Sequence, residues 1–230
     1  MQIFKIKKIY KSIVLVIIVL IFIMAYANVP VNITTKDAEV FKNLKITSEI
    51  ARKLNYDEQI LLIKEIQLEI FRRAPLGDGI PEYKSREPLD LLLYGKGLCY
   101  DRSRTIDKAL KYAGFETRHV YLLYKENKYL IRALLTYKQT SHAVTEVKTE
   151  KGWIMVDSNQ PWISISKDGF PIKTDEIYSK KDDFLYIPEY LKYEWWAIRG
   201  LYSRKGSLYS KWFFFPEFNW HDFFYWVVNE

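Results

Sequence analysis

The sequence has one cysteine, Cys99, in the run Gly95-Lys96-Gly97-Leu98-Cys99-Tyr100-Asp101-Arg102-Ser103, where a glycine-bounded turn leads into a helical pattern. A histidine follows in Ser141-His142-Ala143-Val144 and an aspartate in Trp153-Ile154-Met155-Val156-Asp157, each on a stretch of strand character. A free thiol with a pKa of roughly 8.5 is mostly protonated at neutral pH and needs activation before it can attack. The positive end of a helix favours the thiolate, a neighbouring imidazole can take the proton, and a carboxylate on the other ring nitrogen orients that imidazole. Cys99 as nucleophile, His142 as base and Asp157 as orienting acceptor form the candidate catalytic set.

The elements that must hold these residues follow from local pattern. A helix is expected from about Lys36 to Lys45, with Val40, Phe41 and Leu44 at helical spacing, then a short turn carrying Ile50 and Leu54. Asp57 reads as the cap of a stronger helix that ends at Arg72-Arg73, where basic residues suit the C-terminal end. A short helix over Pro88–Tyr94 closes at Gly95, and the helix that opens at Cys99 runs to Tyr112 before Gly114 stops it. Beyond Gly114 the pattern turns to strands: Thr117–Tyr124, a polar turn Lys125-Glu126-Asn127-Lys128, an apolar segment Tyr129–Tyr137, and a hairpin of Ala143–Thr149 with Trp153–Asp157 turning at Glu150-Lys151-Gly152. Helices followed by consecutive antiparallel strands describe an α+β class, with the N-terminal helices covering an antiparallel sheet. Pairing across the hairpin brings positions near His142 beside positions near Asp157, both expected on the face toward the Cys99 helix, and a one-residue slip would turn either away.

These residues resemble the transglutaminase-like superfamily of papain-fold thiol enzymes. The likeness rests on Gly95-Lys96-Gly97-Leu98-Cys99 with Asp101 and Ser103 after it, Ala113-Gly114-Phe115-Glu116-Thr117-Arg118, Ser141-His142-Ala143, and Gly152-Trp153-Ile154-Met155-Val156-Asp157, within roughly residues 87–160. It implies a papain-like core and a Cys99-His142-Asp157 triad acting on amide or peptide bonds of a peptide or protein substrate through a thioester. An amine acceptor would give cross-linking and water would give hydrolysis; water is the default unless a site excludes it. Two departures bear on substrate preference: Val144-Thr145-Glu146 stand where the family often carries an aromatic residue, and Ser158-Asn159-Gln160 precede Pro161 where a proline turn is common. For the oxyanion, the backbone N–H of Cys99 and the side chains of Tyr94 and Tyr100 are the candidates, and the sequence does not choose among them.

The N-terminus is a separate unit. Lys5, Lys7, Lys8 and Lys11, with no acid among them, precede the apolar run Ile13–Met24 and then Ala25-Tyr26-Ala27. That order describes an export signal cleaved after Ala27, or an uncleaved anchor, since Ser12–Val29 is near the lower limit for spanning and would associate the protein with a membrane. Either way the folded part is expected outside the cytoplasm, periplasmic or otherwise extracytoplasmic. The expected organisation is residues 1–27 as signal or anchor, 28–190 as the transglutaminase-like domain, and 191–230 as an aromatic-rich extension packed on it.

Removing the four lysines from the net charge of +7 leaves +3 for residues 28–230, without a basic stripe, which speaks against nucleic acid. No cofactor or metal is implied: three histidines and one cysteine lack the paired spacing of a zinc site, and no phosphate-cradling glycine loop occurs. The oligomeric state has no signature. His119 reads as a packed strand histidine, His221 as part of the aromatic tail, and Asp101 as a helix cap. The aromatic tail, with Trp195-Trp196 and Trp212-Phe213-Phe214-Phe215, must bury itself against the domain or a partner. A non-catalytic binding module on the same fold, holding a peptide or envelope partner, is the alternative to an enzyme.

Overall fold

The computed structural model describes residues 2–81, 84–126, 129–136, 139–203 and 216–229. Asn127, Lys128, Tyr137 and the run Trp212-Phe213-Phe214-Phe215 lie outside them. Helix α1, Gln2–Ala27, carries the apolar N-terminal run, with Ile13 to Phe22 turned to the outside. Among the described residues no helix is long and apolar enough to cross a membrane, so the anchor expectation gains no support.

Helix α2, Thr35–Asn43, starts with a capping box. Thr34 Oγ1 accepts from Asp37 N–H at 3.2 Å and Asp37 Oδ2 accepts from Thr34 N–H at 2.9 Å. Helix α3, Tyr56–Arg73, is capped by Asn55 paired with Glu58 rather than by Asp57, because Asn55 is the residue in extended conformation whose side chain can fold over the first turn. Helix α4, Pro88–Tyr94, closes at Gly95 in the left-handed conformation, and helix α5, Cys99–Tyr112, follows.

The sheet has four antiparallel strands in the order β3-β2-β1-β4: β1 is Glu116–Tyr124, β2 Ser141–Thr149, β3 Gly152–Val156 and β4 Trp195–Arg199. Between β1 and β2 the apolar segment forms helix α6, Leu130–Leu135. The chain ends in a two-stranded ladder of β5, Leu201–Tyr202, with β6, Glu217–Phe218, and in helix α7, Trp220–Asn229. Gly200, at φ 73°, turns β4 into β5; a Cβ there would meet Asn219 O and Phe223 N at 2.7 Å, so only glycine fits.

Alternation of side chains gives the sheet two dressed faces. Val147, Ile154 and Val156 pack with Ile63, Ile66, Ile106 and Leu110 of α3 and α5. Val120, Leu122, Val144 and Met155 on the other face are covered by Trp162, Ile172, Ile177, Phe184 and Leu191 from the long irregular segment between β3 and β4. A third cluster joins Leu123, Ala143, Ile198 and Phe218 to Ala133 of α6 and to Trp220, Phe223 and Trp226 of α7. The aromatic terminus thus packs in part on the domain, while Phe224 and Tyr225 remain exposed. The two ends of the domain are stitched together: Val29 N–H donates to Phe218 O at 2.7 Å and Asn219 Nδ2 to Val29 O at 2.9 Å.

Candidate active site

Cys99 is the first residue of α5, so its own N–H has no intrahelical partner and its side chain sits at the positive end of the helix. The loop before it is fixed by Asp101. That buried carboxylate reaches back to the N–H of Leu98 at 3.0 Å, accepts from Ile80 N–H at 3.2 Å, and pairs with Arg86. Capping therefore accounts for Asp101, as its position suggests.

His142 is the second residue of β2. The register pairs Thr145 with Val156, so extending it one step sets Asp157 opposite Val144, diagonal to His142 and on the same face. His142 Nε2 lies 3.0 Å from Asp157 Oδ1. The Cys99 thiol is coupled electrostatically to the imidazole and to the backbone at Ala143 and Tyr100. Cys99, His142 and Asp157 thus lie together in one interacting set.

One detail differs from expectation. His142 pairs with Leu122 and shares its face with Val144, the face turned away from α5. The opposite face carries Ala143 and Thr145, and there Thr145 Oγ1 donates to Ser103 O of α5 at 3.0 Å. Cys99 meets His142 because it stands at the first turn of the helix, beside the start of the strand. Thiol and ring join around the strand's end rather than across the sheet face.

The electrostatics match a charged pair. Burial pushes the half-exposed Cys99 thiol up, but the hydrogen bond and charge of His142 and the two backbone donors outweigh it and hold the thiol below its ordinary value. Burial pulls His142 down, yet Asp157 and Cys99 raise its pKa to about 9. Burial likewise pushes Asp157 up, and His142, Tyr190 and the Asn159 N–H bring it below the usual carboxylate range. Each shift runs in the direction that favours a thiolate beside an imidazolium.

Three supporting residues lie outside the sequence reading. Tyr190, in the turn Glu189–Lys192, donates to Asp157 Oδ2 at 2.6 Å and sets its ring edge-on to His142 at 4.8 Å between centroids. Gln67 of α3 holds the loop after Asp157, its Nε2 lying 2.7, 3.1 and 3.0 Å from the carbonyls of Asp157, Gln160 and Trp162. Arg102, one turn after Cys99, is buried over the ring of Phe71. Gln67 carried a signal, a lone polar residue on the apolar stripe of Ile63, Ile66 and Ile70; Tyr190 carried none.

The remaining sequence candidates fall elsewhere. His119 is buried, stacked on Tyr202 at 4.2 Å and bonded through Nδ1 to Ser103 Oγ at 3.1 Å, and burial pushes its pKa down to about 3. His221 is exposed on α7 beside Asp222. Tyr94 is largely exposed, and Tyr100 lies under the guanidinium of Arg86 at 4.8 Å. Among the described residues no cluster of histidine, cysteine and acidic groups could hold a metal ion.

The family model of the transglutaminase-like superfamily matches residues 36–158, more than half of the chain. The chain belongs to the transglutaminase-like superfamily. The matched span runs from α2 through Asp157, so this transglutaminase-like chain has its cysteine, histidine and aspartate inside the family region and Tyr190 beyond it. Two solved structures are similar at low identity. One is the crystal structure of a TGase, 16% identical with a TM-score of 0.38, covering 65% of this chain and 37% of that one. The other is arylamine N-acetyltransferase C from Bacillus anthracis, 18% identical with a TM-score of 0.34, covering 56% of this chain and 50% of that one. The chain spans half or less of the length of these structures. No curated protein matches it.

Proposed function

We propose that this chain is an exported cysteine enzyme that cleaves amide or peptide bonds through a thioester acyl-enzyme. The observation that carries the reading is the convergence of Cys99, His142 and Asp157, with the His142 ring bonded to Asp157 and coupled to the thiol. In the reaction, Cys99 Sγ adds to the carbonyl carbon, and the carbonyl electrons move to oxygen. The N–H of Cys99, unpaired by position at the helix start, is a main-chain candidate donor for that oxyanion. Collapse breaks the C–N bond as His142 gives its proton to the leaving nitrogen. Water then adds to the thioester, His142 taking its proton, and the thiolate leaves. Hydrolysis is favoured over cross-linking because water is the default acceptor in a site that does not exclude it.

Export is supported by the basic-then-apolar order of residues 1–27 and by the outward-facing apolar side chains of Ile13 to Phe22. The intact mass of the mature protein tests it: a chain beginning at Asn28 fits a cleaved leader, a full-length chain an anchor.

The enzymatic reading is tested by incubating the protein with a mixed peptide library, with and without a primary amine, and following masses. New termini, or amine adducts, that vanish in Cys99→Ala support acyl transfer. A Cys99→Ala protein with undiminished turnover would end it. Peptide retention without turnover in both proteins would favour a binding module.

A further inference from the structure

Arg102 has no use in the chemistry so far, and its situation is costly. The residue is 2% exposed, and its Nε and Nη1 have no hydrogen-bond partner. A buried donor without a partner forfeits its hydration with nothing in return, and a buried cation does so more severely. Its guanidinium lies 3.9 Å from the ring of Phe71, a contact that holds the group in place but supplies only part of what water would. Something else must balance the charge.

The active site has the opposite imbalance. With Cys99 as thiolate, His142 as imidazolium and Asp157 as carboxylate, the set carries one net negative charge in a buried place. Asp157 is fully buried, and His142 is 6% exposed. Residues three apart on a helix are neighbours, and Arg102 stands three after Cys99 on α5.

We infer that Arg102 is a positioning residue for the nucleophile, the buried counter-ion that makes the thiolate, imidazolium and carboxylate set electrically neutral. This rests on the enzymatic reading above. Around Arg102 and the thiol, α5 presents Asp101, which is already paired with Arg86, β2 presents His142, and the loop after β3 presents Asp157. From β1 and the Glu189–Lys192 turn come Tyr121 and Tyr190, whose pKa values burial raises so that both stay neutral; α3 presents Phe71. Burial pulls the Arg102 pKa down to about 10, while the charges of Asp157 and Cys99 hold it up, so it is a cation at neutral pH.

The test is the rate of Cys99 alkylation by iodoacetamide against pH, in the full chain and in Arg102→Gln and Arg102→Lys, with circular dichroism as the check on folding. In Arg102→Gln the rate at about pH 6 falls about tenfold, as for a thiol pKa one unit higher, with the alkaline plateau unchanged. Arg102→Lys, which keeps the charge and loses the planar fork, stays within about twofold of the parent. An unchanged profile in Arg102→Gln overturns the inference, as does an equal shift in both variants. If Arg102→Gln does not fold, Arg102→Lys decides: a parent-like profile supports the counter-ion, a shifted one removes it. A parent protein with an ordinary thiol profile would instead refute the enzymatic reading itself.

Discussion

Tyr190 and Asp157 share a 2.6 Å hydrogen bond in which the phenol donates to Oδ2, while His142 and the Asn159 N–H take Oδ1 at 3.0 and 2.7 Å. Both carboxylate oxygens are thereby committed, and Asp157 is held by a residue beyond the family-matched span. Tyr190 is itself fixed by Trp195, whose indole N–H donates to the Tyr190 carbonyl at 2.8 Å.

Removing only the phenolic oxygen isolates that restraint. Tyr190→Phe keeps the ring against His142 and loses one hydrogen bond to a charged acceptor, worth about 1.5–3 kcal/mol of stability. Turnover is expected to fall about tenfold, because a carboxylate free to rotate orients the imidazole less well. Urea melts and steady-state rates check this; a variant matching its parent in both would mean that the bond is incidental.

The pH dependence of stability follows from two opposed shifts. His142 is raised from 6.5 to about 9, so its contribution is full below pH 6.5 and is lost as pH rises through about 9. Cys99 is lowered from 9.0, so its contribution is full above pH 9 and is lost as pH falls through its folded value. Between pH 6.5 and 9 the two slopes have opposite sign and offset each other, so stability changes less with pH than either group alone would make it. Cys99→Ala leaves the histidine half alone, so its stability should decline across the same window. Urea midpoints measured through that range in both proteins would show it, and equal slopes would contradict the charged pair.

Glu146 is fully buried between two arginines. Arg118 Nε and Arg199 Nη2 donate to its two oxygens at 2.5 and 2.8 Å, which ties β1, β2 and β4 together. Breaking such a set from one side leaves cations in the interior, so Glu146→Gln should cost about 3–5 kcal/mol of unfolding free energy. A loss under about 1 kcal/mol, the level of a surface pair, would show that water reaches the cluster.

Gln67→Leu tests the loop. Its amide serves three carbonyls between Asp157 and Trp162; leucine would take the donor from the Asp157 carbonyl, while those of Gln160 and Trp162 keep the N–H groups of Trp162 and Asp157. A loss of about 2–3 kcal/mol is expected. Turnover should fall with KM little changed, because the loop carries Asp157 and Gln67 is buried away from the surface. An unaltered rate would show that the Tyr190 bond alone is enough to hold the carboxylate.

The parts of the site that the sequence displayed are those with local causes. Gly95 and Gly114 bracket α5, so the position of Cys99 at the helix start could be read directly, and Glu150-Lys151-Gly152 fixed the hairpin that sets Asp157 near His142. What escaped was tertiary. Period-2 reasoning puts His142 and Asp157 on one face, but which face meets α5 depends on how the helix packs. The segment Tyr129–Tyr137, apolar without alternation, sits in a series of strands yet forms α6, an ambiguity such runs carry when neighbours decide. Residues 158–194 show little periodicity, so neither the cover they give the sheet nor the reach of Tyr190 could be read. β4, in an aromatic stretch, gave no sign of joining the main sheet.

The strand order has a consequence for how the chain is made. β1 is paired on one side by β2, which follows it closely, and on the other by β4, which begins at Trp195. During synthesis from the N-terminus, the outer edge of β1 stays without its partner while more than seventy residues emerge. An unpaired apolar edge is a template for joining another chain, and Val120, Leu122 and Leu123 lie along it. Holding the nascent chain unfolded, or shielding that edge until Arg199 has appeared, is therefore a requirement for its safe biogenesis.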